Sequence, residues 1–435
     1  MVNVKNNSQP NVERNMSKQR DGLILVILGI AVFVILGFTF QKTNPIRQWD
    51  FKGSYWAARS FDNHLDPYNE NAVLSIYQHN DPVITRAVYP PTLLLLISPL
   101  ALLPWNIASS IWCLFTVGTM ISAAIIIWDI GNEYSPTMTA AMVALIISNS
   151  QVIIILTNPA AISIALAVFG CWSFVKGKYA WIGAVALSVS MLIKPQDTSC
   201  IWLFFLLMGG TYCRYALRSL MVSGLIGVPT VFVMWLLYPN WLLEWKSNIA
   251  SFTVKGGMTD PGPSSVGGHG LGAFVNLQAA LSVIKDDPHF YNSITYLIVF
   301  PLLLLLAYFA LKSDRSTRSV WLGIATIAPL SILPIYHHVY DAKLFLLAIP
   351  ACSILWVEGK KFLPLVSMAA MVVTGDIPLA FLRIALERIH ASVLEPLFIS
   401  IPILIMGIVS LSTFIRSIPV SVLETDRAQR KASCC

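Results

Sequence analysis

Hydrophobic residues in this chain come in long unbroken blocks, not in the alternating or three-to-four spaced patterns of soluble strands and helices. The first block, residues 23–40, follows a polar leader that carries Lys5, Arg14, Lys18 and Arg20. It is about eighteen residues long, enough for a helix to cross a bilayer core. No small-residue cleavage site follows it, so it reads as a retained helix and not as a signal peptide. Further blocks follow at 105–128, 136–148, 159–175, 180–193, 198–210, 219–238, 293–311, 319–336, 342–357, 362–375 and 396–415. Several are shorter than about eighteen residues, so the total of about 12 carries a margin of one or two. The pattern predicts an all-α, polytopic transmembrane bundle. A cytoplasmic segment (1–21) would precede one membrane domain (22–415) and a cytoplasmic tail (416–435) would follow it.

Composition agrees with lipid as the main solvent. Only 12% of residues are charged and 56% are hydrophobic, where a soluble domain carries roughly a quarter charged residues. The net charge of +7 is scattered over the connections between blocks. It therefore points to membrane orientation, with no nucleic-acid partner expected. The 7 cysteines show no CxxC spacing, which indicates neither a disulfide framework nor a metal site. The terminal Cys434-Cys435 pair could carry lipid, which would add little to a chain anchored many times.

Charge also sets the expected orientation. With the amino terminus inside, about 17 of the 29 basic residues fall on short cytoplasmic connections, the leader and the tail. Both termini are then cytoplasmic, in a multi-pass cell-membrane protein. The longer connections at 41–104, 149–158, 194–196, 239–292, 337–341 and 376–395 lie outside.

Those outer segments hold the candidate chemistry. Trp49-Asp50-Phe51 sets an acid between two aromatics close to the membrane surface. Partial desolvation there would raise its pKa toward the range of a general base, although an interfacial aromatic belt with an incidental acid fits the same residues. Tyr55 to Arg59 is compatible with an amphipathic helix, Asp66-Pro67-Tyr68 signals a turn, and Tyr89-Pro90-Pro91 opens a proline-bounded apolar stretch expected to lie in the interface or re-enter the membrane. Lys194-Pro195-Gln196 breaks an apolar run, and its lysine must snorkel or find an anion, since burial costs about 2.5–3.5 kcal/mol. His337-His338-Val339-Tyr340-Asp341 reads as a tight turn between helices; two adjacent histidines cannot share one helix face, so no two-histidine metal site is expected there. The stretch 255–276, rich in Gly, Pro and Ser, reads as a mobile loop without a P-loop signature. Asp62 and Asp66 read as too few and too exposed to cage a divalent metal, so no metal or cofactor is expected.

This ordered series, from Asp50-Phe51 through Tyr89-Pro90-Pro91 and Lys194-Pro195-Gln196 to Val275-Asn276-Leu277-Gln278 and Tyr336-His337-His338, resembles glycosyltransferase family 87 over about 46–350. The resemblance implies a GT-C-like bundle with short interfacial helices in the first outer loop. It also implies an enzyme that uses a polyprenyl-phosphate sugar, most often mannose, and passes it to a glycan or glycolipid hydroxyl on the outer face. Asp50 would be the general base. His337, His338, Lys194, Arg59 and Gln196 would bind the donor phosphate or sugar, with Tyr55, Tyr89, Asp341 and Asn276 in support. Where the family often carries a Gly-Gln-x-Asn-like stretch, this chain reads Leu156-Thr157-Asn158-Pro159-Ala160. A lipid-linked glycan transporter and a surface-polysaccharide polymerase or ligase are the alternatives. The transporter would place ionisable groups at mid-membrane in repeated halves.

Overall fold

Helix boundaries fall where the sequence punctuates them. A computed structural model describes residues 9–79, 81–265 and 273–418, with side chains from residue 16 onward. The Lys5 and Arg14 side chains of the leader, Gly267-Gly268-His269-Gly270 and the tail from residue 419, including Cys434-Cys435, lie outside the described residues. Among the described residues every regular element is a helix, apart from an isolated antiparallel bridge between Phe274 and His338.

The first apolar block lies within α1 (Gln9–Thr43). The connection after it folds into α2 (Trp49–Asp62), α3 (Glu70–Tyr77), the short α4 (Pro82–Thr85) and α5 (Pro91–Ala101). Asn69 and Asp81 cap α3 and α4 by accepting from backbone N–H groups, and prolines open α4 and α5, where a missing N–H costs nothing. Then come α6 (Trp105–Asn132), α7 (Pro136–Ile147), α8 (Gln151–Leu156), α9 (Ala160–Lys176), α10 (Ala180–Ile193), α11 (Pro195–Met208) and α12 (Gly210–Leu237). The second long connection holds α13 (Trp241–Thr253) and α14 (Leu277–Ser282). After α15 (Pro288–Leu311) and α16 (Thr317–Ile332), a 3-10 helix (Asp341–Ala348) runs into α17 (Ile349–Val357). The chain closes with α18 (Phe362–Val373), α19 (Asp376–Arg388), a 3-10 turn (Ser392–Leu394) and α20 (Glu395–Ser417).

Five spans, four of them α1 (from Met16), α6, α12 and α15 and the fifth Ser392–Ser417, which includes α20, are long and apolar enough to cross a membrane. A sixth is added if α18 and α19, bent by 68°, count as one. Their outward faces are apolar, as on α12, where Leu225, Val228, Phe232 and Trp235 are all more than half exposed. A patch of that extent needs lipid against it, and the protein is a membrane protein. At the centre α16 is buried on every side from Ser319 to Ile332. Close approach is made by small residues: a Cβ on Gly29 of α1 would stand 2.9 Å from the Ala144 Cα of α7.

The structure corrects several expected connections. Residues 376–395 are mostly α19, 149–158 contain α8, and 239–292 contain α13 and α14. The block at 319–336 ends as a helix at Ile332, so 333–340 is a longer, stitched segment instead of a tight turn. Val275 N–H donates to the His337 carbonyl at 3.0 Å and Val339 N–H to that of Ala273 at 3.0 Å. Residues 255–265 are not a loose loop. They wrap the buried Asp260 carboxylate, which accepts from Gly256 N–H at 2.7 Å and Gly262 N–H at 3.1 Å.

The six segments expected on one side do meet. On α13, Asn248 Nδ2 donates to the Tyr68 carbonyl at 2.9 Å and Trp245 Nε1 to that of Val88 at 2.9 Å, fastening the two long connections together. Lys343 Nζ donates to the carbonyls of Asn149 (2.7 Å) and Thr374 (2.9 Å), and Asp376 accepts from Val152 N–H at 2.7 Å. At the other end Lys176 pairs with Glu133 and Arg318 with Glu358.

Gly29→Leu should lower unfolding stability by about 1–3 kcal/mol, because the backbone of α7 cannot retreat as a side-chain tip can. Thermal or denaturant unfolding of the solubilised protein checks it, and a wild-type midpoint would refute the close α1–α7 contact.

Candidate functional site

α2 is fixed at both ends before its acid acquires any chemistry. Gln48, with φ of 59°, donates its N–H to the Ile155 carbonyl at 2.6 Å, tying the start of α2 to the end of α8. Phe51 stacks between Trp105 (5.7 Å) and Trp112 (5.0 Å), and the Tyr55 hydroxyl donates to the Leu103 carbonyl at 2.7 Å. The apolar face of α2 therefore docks on α5 and α6, and Asp50, in its first turn, is directed to the α8–α9 junction.

There it meets Asn158. The Asn158 Oδ1 accepts from Ala160 N–H at 2.7 Å at the start of α9, so its amide nitrogen must face the other way. That nitrogen donates to Asp50 Oδ2 at 2.7 Å and to the Tyr89 hydroxyl at 3.2 Å. Asn158 is fully buried, whereas Asp50 and Tyr89 are half-buried and keep accessible surface. Burial pushes the Asp50 carboxyl up to about 6. The Asn158 bond and the Lys194 ammonium oppose this rise, and the Asp341 charge adds to it.

Lys194 is the cation of the cluster. The residue before a proline favours extended backbone, and Lys194 adopts φ −147° and ψ 82° between α10 and Pro195. Its buried ammonium bonds Asp341 Oδ1, stands 3.6 Å from Asp197 Oδ1 and lies 5.2 Å over the Tyr340 ring. It has found an anion, one of the two outcomes the sequence allowed. Asp341 Oδ2 accepts from His338 N–H at 3.0 Å.

The two histidines diverge. The His337 Nδ1 donates to the Ile335 carbonyl at 3.2 Å, while its Nε2 stands 3.3 Å from Asp197 Oδ1 without hydrogen-bond alignment. The His338 ring stacks on Phe274 at 5.0 Å and bonds the Tyr336 hydroxyl. Asp50, Tyr89, Lys194, Asp341, His337 and His338 thus gather in one region, as the sequence proposes. The other candidates make different contacts. Arg59 donates to the Ala101 carbonyl at 2.7 Å and to the Tyr55 hydroxyl at 3.3 Å, strapping α2 to α5. Asn276 caps α14 and its carbonyl accepts from Ser400 at 2.8 Å. Gln196 is half-buried in the first turn of α11.

Asn158 and Asp197 were missed. Asp197 lies three residues after Lys194, a spacing that brings side chains together across a helix start, and Asn158 before Pro159 marks a turn. Asp62 and Asp66, expected to be exposed, are half-buried. Asp62 accepts from Ser98, and Asp66 accepts from Tyr68 N–H at 2.9 Å in the expected turn. Asp197, His337 and Asp341 offer ligand atoms within 4.8 Å of one another, although the Lys194 ammonium already supplies positive charge between the two carboxylates.

No model of a known protein family matches the chain, and a search of curated proteins finds no significant match.

Two outcomes test the electrostatics. An aspartate whose folded pKa is raised binds its proton more tightly when folded, so stability falls as pH rises from about 4 to about 6. Over that window the Asp50→Asn variant should gain on the wild type by up to roughly 3 kcal/mol, measured by unfolding at both pH values. Removing either Lys194 (to Met) or Asp341 (to Leu) should cost about 3–5 kcal/mol, by leaving a buried charge short of a partner. The double variant should recover part of the loss, with a coupling energy above about 1 kcal/mol in the cycle.

Proposed function

We propose that this protein is an integral membrane glycosyltransferase that moves a sugar, mannose in the first instance, from a polyprenyl-phosphate donor to a hydroxyl of a glycan or glycolipid. The observation that carries the reading is Asp50. It is a half-buried carboxylate at the head of a docked helix, oriented by Asn158, raised by burial to about 6 and within the field of the buried Lys194. Such a group is poised as a general base near neutral pH. In this reading the helices form a GT-C-like bundle of about 12 spans with both termini in the cytoplasm and the cluster on the extracytoplasmic face.

The step is a single displacement. The acceptor oxygen bonds to the anomeric carbon while Asp50 takes its proton, and the bond from that carbon to the phosphate oxygen breaks with its electrons left on the lipid phosphate. One carboxylate base and in-line attack give inversion. Charge is the main constraint, because Asp50, Asp197 and Asp341 outnumber Lys194 in the cluster. Proton uptake by Asp50 removes one negative charge from the cluster as the leaving phosphate, already a monoanion in the donor, gains a second, which favours the transition state over the ground state. The half-buried hydroxyls of Tyr89 and Tyr336 lie within the electrostatic reach of Asp50 and suit contacts to sugar. The apolar flanks of the helices suit the donor's tail.

Purified protein offered a panel of polyprenyl-phosphate sugars and lipid-linked acceptors tests the reading. Asp50→Asn should lose about 10²–10⁴-fold in turnover while still folding and inserting. Below about pH 6 the wild-type rate should fall tenfold per unit, and above it the rate should level off. Wild-type turnover in the variant would remove the base assignment, and lipid-linked glycan movement without sugar transfer would favour the transporter.

A further inference from the structure

The end of the helical body opposite the Asp50 cluster carries a second feature, independent of the enzymatic reading. α16 begins there at Thr317 and leads at its other end to the segment that holds His337. A groove of about 930 Å³ opens between the ends of α16, α17, α18 and α20, lined among others by Arg318, Glu358, Lys360, Lys361, Phe362 and Arg416. Its volume is in the range of small-molecule sites.

The charge of the groove is one-sided. Four cations and one carboxylate leave a net charge of +3. Glu358 is already shared by Arg318, in two bonds of 2.6 and 2.8 Å, and by Lys360 at 2.8 Å. Those partners hold its carboxyl down at about 2, so it stays ionised and satisfied. Lys361 lies 5.3 Å over the Trp356 ring, and Arg416 is exposed in the last turn of α20. Among the described residues neither has a carboxylate partner. The α18 N-terminus, whose cap Lys361 offers no side-chain acceptor, adds free backbone N–H groups to the same wall.

Beside this charge stand large apolar side chains open to the surroundings: Phe362 (68% exposed), Val357 (64%) and Leu365 (54%). A soluble polyanion would leave them uncovered. The chain's own segment 419–435 is a poor occupant, since Glu424 and Asp426 are outnumbered by Arg427, Arg430 and Lys431. A ligand with a compact anionic head and apolar tails satisfies both halves of the surface.

We propose that this groove binds the headgroup of an anionic phospholipid, with its phosphate at Lys361 and Arg416 and its acyl chains along Phe362 and Leu365. Basic pockets between helix ends gain about 1 kcal/mol per cation from such lipids, close to a fivefold change in affinity. Native mass spectrometry of the full chain in detergent, with phosphatidylglycerol and phosphatidylcholine in competition, measures the preference. The wild type should retain phosphatidylglycerol preferentially. Lys361→Gln and Arg416→Gln should each cut that preference about fivefold. Arg416→Gln, at an exposed helix end, serves if the Lys361→Gln variant fails to fold. Equal retention of the two lipids, an unchanged preference in both variants, or displacement of phosphatidylglycerol by millimolar inorganic phosphate would overturn the proposal. Loss of the preference on deleting residues 421–435 would assign the binding to the tail instead.

Discussion

The architecture of the candidate site depends on one buried ion pair. Lys194 and Asp341 come from segments far apart in the chain, and neither could be buried alone, since an unpaired charge in such surroundings costs several kcal/mol. Together with Asp197 they form a bond among α10, α11 and the 3-10 helix that begins at Asp341. An apolar bundle has few other means of fixing register, because lipid tails solvate helix faces nearly as well as neighbouring helices do. The pair supplies directionality that packing alone lacks. It also sets the potential in which Asp50 titrates.

Polar fastening is concentrated at one end of the molecule. Lys343 and Asp376 repeat the scheme of a lysine paired with an aspartate a short distance from Lys194, and draw the α7–α8 junction, the 3-10 helix and the bend between α18 and α19 together. Because α8 leads directly to Asn158, and the 3-10 helix starts at Asp341, both walls of the candidate site hang from this second knot. The body below is left to small-residue contacts and apolar packing. Such a division leaves one rigid, chemically diverse end on a scaffold that lipid can surround.

Much of the fold was legible because apolar runs and prolines punctuate the chain so clearly. The run at 180–193 and the break at Lys194-Pro195 appear where expected, and the Tyr55–Arg59 segment is helical. What escaped was structure without a hydrophobic signature. α13 and α19 mix charged and apolar residues and read as loops, and the Asp260-centred turn depends on backbone N–H groups that any sequence possesses. At the site, Asp50, Lys194, His337 and Asp341 stood out as ionisable residues next to apolar ones. Asn158 did not, because an amide before a proline looks like any other turn. Arg59 stood out by its charge, and the structure gives one of its guanidinium nitrogens a strapping role between α2 and α5.

The divided amide of Asn158 has a consequence for any chemistry at Asp50. Its oxygen is committed to the Ala160 N–H, so the side chain cannot turn over when the carboxylate gains or loses a proton. An asparagine free to rotate could present its oxygen to a protonated acid and trap that form. Here the reversal is blocked by the cap of α9, and the acid returns after every protonation to the same donor in the same place.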